Sequence, residues 1–246
     1  EIVTVTGPMD SMRLFYRMIA GLEPTASGRW LLNGRDITDL PAPERGVGVV
    51  FSAVDDFGLF ANRTGEFILK FALESRKKKG FSMHNEIEAD AHWFLAQMGL
   101  LGCEKFKTKE LSSEQKVRMA IARCLAGNPA LLLMDDPFAS LSREEAARVS
   151  RDLRRCLSTE MEDFHFTGSV LIFTEEPGRY SELADREVDI GRFCCGSGIA
   201  KGYAAGRESR SARELSPVPP KSFGAVILQD IVRQSKSIPE LIEKAH

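Results

Sequence analysis

The sequence predicts an α/β fold with a mostly parallel sheet, on the strength of three short strands. Residues 1–6 (EIVTVT) alternate and are rich in β-branched side chains, as strands are. Residues 131–134 (LLLM) form a continuous apolar run that ends at two carboxylates, and residues 170–174 (VLIFT) form a third strand. Because α/β proteins place ligand chemistry at the carboxyl ends of such strands, the two carboxylates mark a candidate site.

Composition sets the bounds on class. A chain of 246 residues, 43% of them apolar, can form one sizeable α/β domain with a small subdomain. The net charge of -2 argues against a nucleic-acid partner. No apolar run approaches the length of a bilayer span, and no signal-peptide pattern opens the sequence. Five cysteines lack disulfide or zinc spacing and four histidines are scattered, which favours a reducing cytosol and no metal centre.

The remaining helices and strands are predicted from the spacing of apolar residues and from the residues that end a helix. The first strand runs through a tight loop into an amphipathic helix over residues 15–20, which Gly21 closes. A strand is predicted over residues 47–51, and helices over 65–74, 87–101 and 114–126. A charged helix follows over residues 143–157. Strand, tight loop and helix is the context of a phosphate-binding P-loop.

Residues 111–142 carry a resemblance to a known family. In order, they contain LSSEQ, a helix ending ARCL, LLLMDDP and a turn ending LS. These four segments resemble the signature motif, the helix after it, Walker B and the D-loop of ABC-transporter ATPases. The usual forms are LSGGQ, ARAL, hhhhDEP and LD. The segment RMIAGLEPTASGRWLLNGRDITDLPAPERGVGVVF resembles the importer type, and LADREVDIG resembles the family stretch that follows the switch histidine.

The resemblance covers residues 1–204 and implies a domain plan. It implies a P-loop NTPase (RecA-like) core over 1–61 and 128–204, with an inserted α-helical subdomain over 62–127 that carries the signature. The polar, proline-containing residues 205–222 are predicted to be a linker. Residues 223–246 are predicted to form a helical tail.

The P-loop departs from the family. A working loop needs glycines whose N–H groups surround phosphate, a lysine, and a hydroxyl for magnesium. Counting forward from Gly7, Arg13 takes the lysine position and Leu14 the hydroxyl position. Counting back from the helix end, Met12 takes the lysine position and only Ser11 offers a hydroxyl, in the wrong place. The resemblance therefore implies weak or absent Mg-ATP binding in this loop.

Three further positions also imply weak or absent Mg-ATP binding. Asp10 brings a carboxylate toward the phosphate cradle, and two unit charges 4 Å apart repel by about 4 kcal/mol at an effective dielectric of about 20. Ser52 stands where the family has the Q-loop glutamine. Glu175 stands where the family has the switch histidine, and a carboxylate cannot donate to a γ-phosphate.

The carboxylates after the buried strand are partly preserved. Asp135 matches the Walker B aspartate that holds magnesium through water. Asp136 replaces the glutamate that polarises the attacking water, so the carboxylate remains but its reach shortens by one methylene. Ser142 replaces the aspartate of the D-loop.

The signature turn is expected to act on a nucleotide held by a partner subunit. The family uses a serine hydroxyl and a helix N-terminus there. Ser112 and Gln115 are retained, Ser113 is a mild change, and Glu114 is expected to bring a negative charge near the γ-phosphate.

These features predict a degenerate ATP-binding subunit of an ABC transporter, of importer type. It would pair with a second ABC ATPase subunit, as a hetero- or homodimer, and with transmembrane permease subunits. Its place would be the cytoplasmic face of the inner or plasma membrane, as a peripheral protein. Two alternatives stay open: an active ABC ATPase with atypical motifs, and a non-transport scaffold or regulator that retains only the fold.

Overall fold

The computed structural model describes residues 1–25, 28–78, 87–159 and 164–190. The predicted linker (205–222), the predicted helical tail (223–246) and the last part of the predicted core lie outside the described residues. Within the described residues, no helix combines the length and the apolar character needed to cross a bilayer.

In the described part of the chain, seven strands form two sheets. They are β1 (Ile2–Thr6), β2 (Leu31–Leu32), β3 (Arg35–Asp36), β4 (Val47–Val50), β5 (Leu131–Asp135), β6 (Ser169–Thr174) and β7 (Arg186–Asp189). The main sheet has the order β4-β5-β6-β1-β7 and every neighbouring pair is parallel, while β2 and β3 form a short antiparallel ribbon. The predicted α/β fold with a parallel sheet is confirmed.

The described residues form five α-helices. They are α1 (Met9–Ala20), α2 (Gly65–Lys78), α3 (Ile87–Gln97), α4 (Ser113–Ala126) and α5 (Arg143–Ser158). The helices α2, α3 and α4 pack on one another, in the segment where the sequence predicts the helical subdomain.

The two faces of the sheet are buried in separate apolar clusters. Leu133 of β5 and Phe173 of β6 pack with α1 on one face, whereas Leu132 and Ile172 belong to the cluster that contains α4 and α5 on the other. Successive side chains of a strand point to opposite faces, so β5 and β6 supply both clusters. A parallel sheet covered on both faces leaves its strand ends as the places where polar groups gather.

The predicted start of α1 is wrong. The helix begins at Met9, six residues earlier than expected, because Pro8 forms its N-cap and the following residues contain no glycine to keep a loop open. At the other end of the helix, Gly21 adopts a left-handed conformation with φ 77°. The backbone N–H groups of this C-terminal cap donate to the carbonyls of Arg17 and Met18. Only Gly7 and Pro8 therefore separate β1 from the helix.

Candidate functional site

The candidate site lies at the carboxyl ends of three neighbouring strands. Strand β5 ends at Asp135, β6 is followed by Glu175, and β1 is followed by Gly7. Because these strands are adjacent and parallel, their ends meet at one edge of the sheet. The N-terminus of α1 opens onto the same edge.

Because α1 begins at Met9, the residues predicted to form the P-loop lie on this helix. Met12 is fully buried in the cluster beneath the sheet, so it does not face a phosphate position. Ser11 and Leu14 are half-buried on the helix. Arg13 is the exception, since its side chain lies beside the carboxylate at the end of β5.

Asp135 is engaged by two side chains of α1. The Tyr16 hydroxyl donates to Oδ2 of Asp135 at 3.1 Å, and Nε of Arg13 lies 3.8 Å from the same oxygen. Asp135 is 2% exposed, whereas the Arg13 side chain is 44% exposed. Burial raises the pKa of Tyr16 far above its ordinary value, and the negative charge of Asp135 adds to this shift as the second-largest cause. The carboxylate in the Walker B position thus faces a phenol and a guanidinium from its own chain.

Glu175 lies at the N-terminus of α1. Its Oε1 accepts a hydrogen bond of 3.0 Å from the backbone N–H of Met9, the first residue of the helix. The first N–H groups of a helix have no partner within the helix and carry the positive end of its dipole. The residue in the switch position therefore places a negative charge at the helix end that faces phosphate in a P-loop.

Asp136 is held by a second tyrosine. The Tyr180 hydroxyl donates to Oδ1 of Asp136 at 2.7 Å, and Nη1 of Arg179 lies 4.0 Å from that oxygen. The same tyrosine oxygen accepts the N–H of Phe138 at 3.1 Å. Burial raises the pKa of Asp136, although Tyr180, Arg179 and Thr174 each oppose that shift. The aspartate also adopts a left-handed backbone with φ 40°, which this residue type tolerates better than most.

Ser52 does not reproduce the glutamine that it replaces. It is 8% exposed, and within the described chain its Oγ lacks a hydrogen-bond partner. Ser52 directly precedes a 3-10 helix, Ala53–Gly58. That Ser52 is too short to reach across a nucleotide site stays a prediction.

The signature turn is a complete capping box. Ser112 Oγ accepts the N–H of Gln115 at 3.2 Å, and Gln115 Oε1 accepts the N–H of Ser112 at 2.9 Å. The Gln115 amide also donates to the Cys103 sulfur at 3.2 Å. Ser112 and Ser113 are exposed. The two retained residues of LSSEQ therefore fix each other and present the N-terminus of α4 to solvent.

Glu114 is directed back onto its own chain. Its carboxylate pairs with Arg118 of α4 at 2.8 Å and with Arg148 of α5 at 2.9 Å. The hydrogen bond from Arg148 lowers the pKa of Glu114, and Arg118 lowers it further. Burial opposes this shift without reversing it. The expectation that Glu114 presents a free charge to a γ-phosphate did not anticipate these two arginines. Ser142, in the D-loop position, caps α5 in a reciprocal box with Glu145.

Sequence reasoning missed the partners, although it named the positions. Tyr16, Tyr180, Arg148 and Arg179 were not singled out. Each comes from a different element than the carboxylate that it contacts, so local spacing gave no signal. Tyr16 alone left a trace, because a tyrosine is a polar exception among apolar residues on the buried face of α1. Within the described residues, no group of three or more His, Cys, Asp or Glu side chains is arranged to hold a metal ion.

Comparison with known proteins places this fold. The profile of the ABC transporter family matches residues 14–139. The sulfate/thiosulfate import ATP-binding protein CysA of Mycobacterium tuberculosis is 33% identical over 187 residues, which are 76% of this chain and 50% of that protein. CysA of Xylella fastidiosa is 36% identical over 188 residues, which are 76% of this chain and 51% of that protein. The chain thus spans about half the length of the curated relatives that it matches.

A solved structure agrees on the fold. The ATP-binding cassette MJ0796, described as a dimer in a post-hydrolysis state bound to ADP and Pi, superimposes with a TM-score of 0.59. The match covers 77% of this chain and 80% of that one, at 22% sequence identity. With the parallel sheet, the signature capping box and the matched family profile together, the chain belongs to the ABC transporter family, as an ATPase domain with the P-loop NTPase fold.

Proposed function

We propose that the chain is a degenerate ATP-binding subunit of an ABC transporter, of importer type, whose own nucleotide site does not turn over. The observation that carries the proposal is that side chains of the chain itself contact the carboxylates and the helix N-terminus that a nucleotide site would use. Tyr16 and Arg13 contact Asp135, Tyr180 contacts Asp136, and Glu175 caps α1.

The electrostatics of the site support weak or absent Mg-ATP binding. A triphosphate at the N-terminus of α1 would meet Glu175, at a cost of about 4 kcal/mol for unit charges 4 Å apart at an effective dielectric of about 20. Magnesium at Asp135 would compete with the Tyr16 hydrogen bond and the Arg13 charge. The residues present do not fit Mg-ATP, because each contact must first be broken.

The signature turn supports a role toward a partner subunit. Ser112 and Gln115 form a rigid, exposed helix N-terminus, which is a surface suited to an anion. In a dimer with a second ABC ATPase subunit, this turn would complete the site built on the partner's P-loop. The impaired site of this chain favours a heterodimer over a homodimer, since a homodimer would contain two impaired sites.

An exposed aromatic surface supports contact with permease subunits. It consists of four phenylalanines, each 41–54% exposed, on segments joined by backbone hydrogen bonds: Phe60, Phe67, Phe71 and Phe106. The rings of Phe67 and Phe71 are stacked with centroids 6.3 Å apart. Exposed apolar patches of this kind mark interaction sites. Docking there would hold the chain at the cytoplasmic face of the membrane as a peripheral subunit.

One observation favours the rival proposal of an active ATPase. Asp136 is a partly buried carboxylate with a raised pKa, which is a property of catalytic bases. The hydrogen bond from Tyr180 weighs against that role, because it already engages Oδ1 of the carboxylate. A scaffold without transport function would need neither the intact capping box nor the aromatic surface.

The test is purification of the tagged chain from membranes, followed by ATPase assays. The proposal expects permease subunits and a second ATPase subunit to co-purify. In that complex, Ser112→Arg should abolish ATPase activity, whereas Arg13→Ala should leave most of it. Loss of activity with Arg13→Ala and none with Ser112→Arg would show that the working site is on this chain.

A further inference from the structure

A chain of alternating charges joins the signature helix to the core. Glu114 and Arg118 lie on α4, and Arg148 and Asp152 lie on α5. Glu114 pairs with both arginines at 2.8 and 2.9 Å, and Nη1 of Arg118 lies 2.6 Å from Asp152 Oδ2. Arg155 adds a further pair to Asp152 at 2.9 Å. Two separate ion pairs therefore cross from α4 to α5.

The same charges fix the end of α3. Nη1 of Arg118 also donates to the Met98 carbonyl at 2.8 Å, and Nη2 of Arg155 donates to the Gln97 carbonyl at 2.9 Å. The Gln97 carbonyl belongs to the last residue of α3 and the Met98 carbonyl follows it directly, so neither has a partner within the helix. The charged cluster thus ties three helices together.

Burial makes the cluster stronger than an ordinary surface pair. The side chains of Arg118, Glu114 and Asp152 are 7%, 17% and 21% exposed. Exposed pairs contribute little because water and salt screen them, and partly buried pairs are screened less. Arg148 is the most exposed partner of Glu114, at 46%, so it is the contact most open to salt.

Position 114 makes the Arg148 contact possible. The usual signature has glycine there, which offers no side chain, whereas this chain places a carboxylate one residue before Gln115. Two hydrogen bonds then run from Arg148 to Glu114, at 2.9 and 3.4 Å. The first turn of α4 is thereby attached to α5 next to the capping box.

We propose that Glu114 is a positioning residue, whose bond to Arg148 fixes the Ser112–Gln115 turn against the ATPase core. Its consequence for catalysis rests on the proposed function, in which that turn serves a partner's nucleotide. The restraint itself is a property of this chain alone. The departure from the usual signature at position 114 is, on this proposal, part of how the turn is held.

The deciding experiment measures amide hydrogen exchange in the isolated full chain. Glu114→Gln and Arg148→Gln should each speed exchange in the first turn of α4, and the double variant should exchange no faster than Glu114→Gln alone, because Glu114 is a partner in the bond that Arg148→Gln removes. Arg148→Lys, which keeps the charge, should restore most of the protection. Added NaCl should speed exchange of this turn in the unchanged chain and have little effect in the two glutamine variants.

Arg151→Gln is the matched control, because Arg151 is an exposed arginine of α5 that forms no ion pair in the described part of the chain. It should leave exchange in α4 unchanged. If Glu114→Gln and Arg148→Gln exchange like the Arg151→Gln control, the positioning role is refuted.

ATPase assays of the assembled complex separate this inference from the proposed function. Glu114→Gln and Arg148→Gln should raise KM for ATP at temperatures well below unfolding, with rescue by Arg148→Lys. Faster exchange combined with unchanged kinetics would keep the restraint and contradict the role of the turn in the partner's site. Unchanged exchange would overturn the restraint whether or not a complex forms.

Discussion

The Tyr16 hydroxyl donates a 3.1 Å hydrogen bond to Oδ2 of Asp135, across 119 residues of sequence. Both groups are buried, and Asp135 ends strand β5. A carboxylate in this place can hold magnesium in the family, but here a phenol from α1 satisfies it. The aspartate in the Walker B position is therefore tied to α1 of the same chain.

The first prediction concerns this contact. Tyr16→Phe should lower the free energy of unfolding by about 1–3 kcal/mol, because it removes a hydrogen bond to a buried charged group. Urea denaturation of Tyr16→Phe, Asp135→Asn and the double variant measures the coupling. Strictly additive losses in the double variant would mean that the two groups do not interact.

The second prediction concerns the cap on α1. Glu175→Ala should cost about 1 kcal/mol of stability, as expected for loss of a helix cap. Glu182→Ala is the matched control, since Glu182 is an exposed glutamate of the same segment. Urea denaturation of the two variants decides the point: equal stability would show that Glu175 does not stabilise the helix.

The third prediction uses the sign of the Asp136 shift. Burial raises its pKa above the ordinary 3.8, so the native state binds this proton more tightly than the unfolded state does. The resulting stability is complete below pH 3.8 and is lost as pH rises through the native pKa. Asp136→Asn cannot ionise, and it should therefore gain stability relative to the unchanged chain as pH rises through that range.

Urea denaturation of both proteins from pH 4 to pH 8 measures this difference. A relative stability of Asp136→Asn that falls with rising pH would contradict the assigned direction. In the assembled complex, the same variant should change ATPase activity little. Near-complete loss of activity would instead identify Asp136 as the residue that polarises water.

The limits of sequence reasoning are visible in α1 and its neighbours. Strand and helix positions came mostly within a few residues of the observed ones, because apolar periodicity reports burial directly. The start of α1 was wrong because the family pattern suggested a loop, whereas Pro8 and a glycine-free stretch favour a helix.

The site was predictable as a set of positions and not as a set of contacts. The resemblance located Asp135, Asp136 and Glu175. It could not show that Tyr180 reaches Asp136 from 44 residues away, or that Arg148 reaches Glu114 from 34 residues away. Such contacts depend on how helices and loops pack on the sheet, which no local pattern records.

The fourth prediction concerns the aromatic surface. Phe71→Ser should preserve the melting temperature, because the ring is 54% exposed, and should reduce the amount of permease subunit that co-purifies from membranes. Leu22→Ser is the control, as an exposed apolar residue next to α1 and outside this surface. Equal recovery with both variants would argue against docking at the aromatic surface.

The most direct test of the central claim is calorimetric titration of Mg-ATP into the purified chain. Tyr16 and Arg13 contact Asp135, and Glu175 contacts the N-terminus of α1. Because Mg-ATP would compete with these contacts, we predict no saturable binding in the micromolar range. Stoichiometric binding of one Mg-ATP per chain with micromolar affinity, abolished by Asp135→Asn, would contradict it.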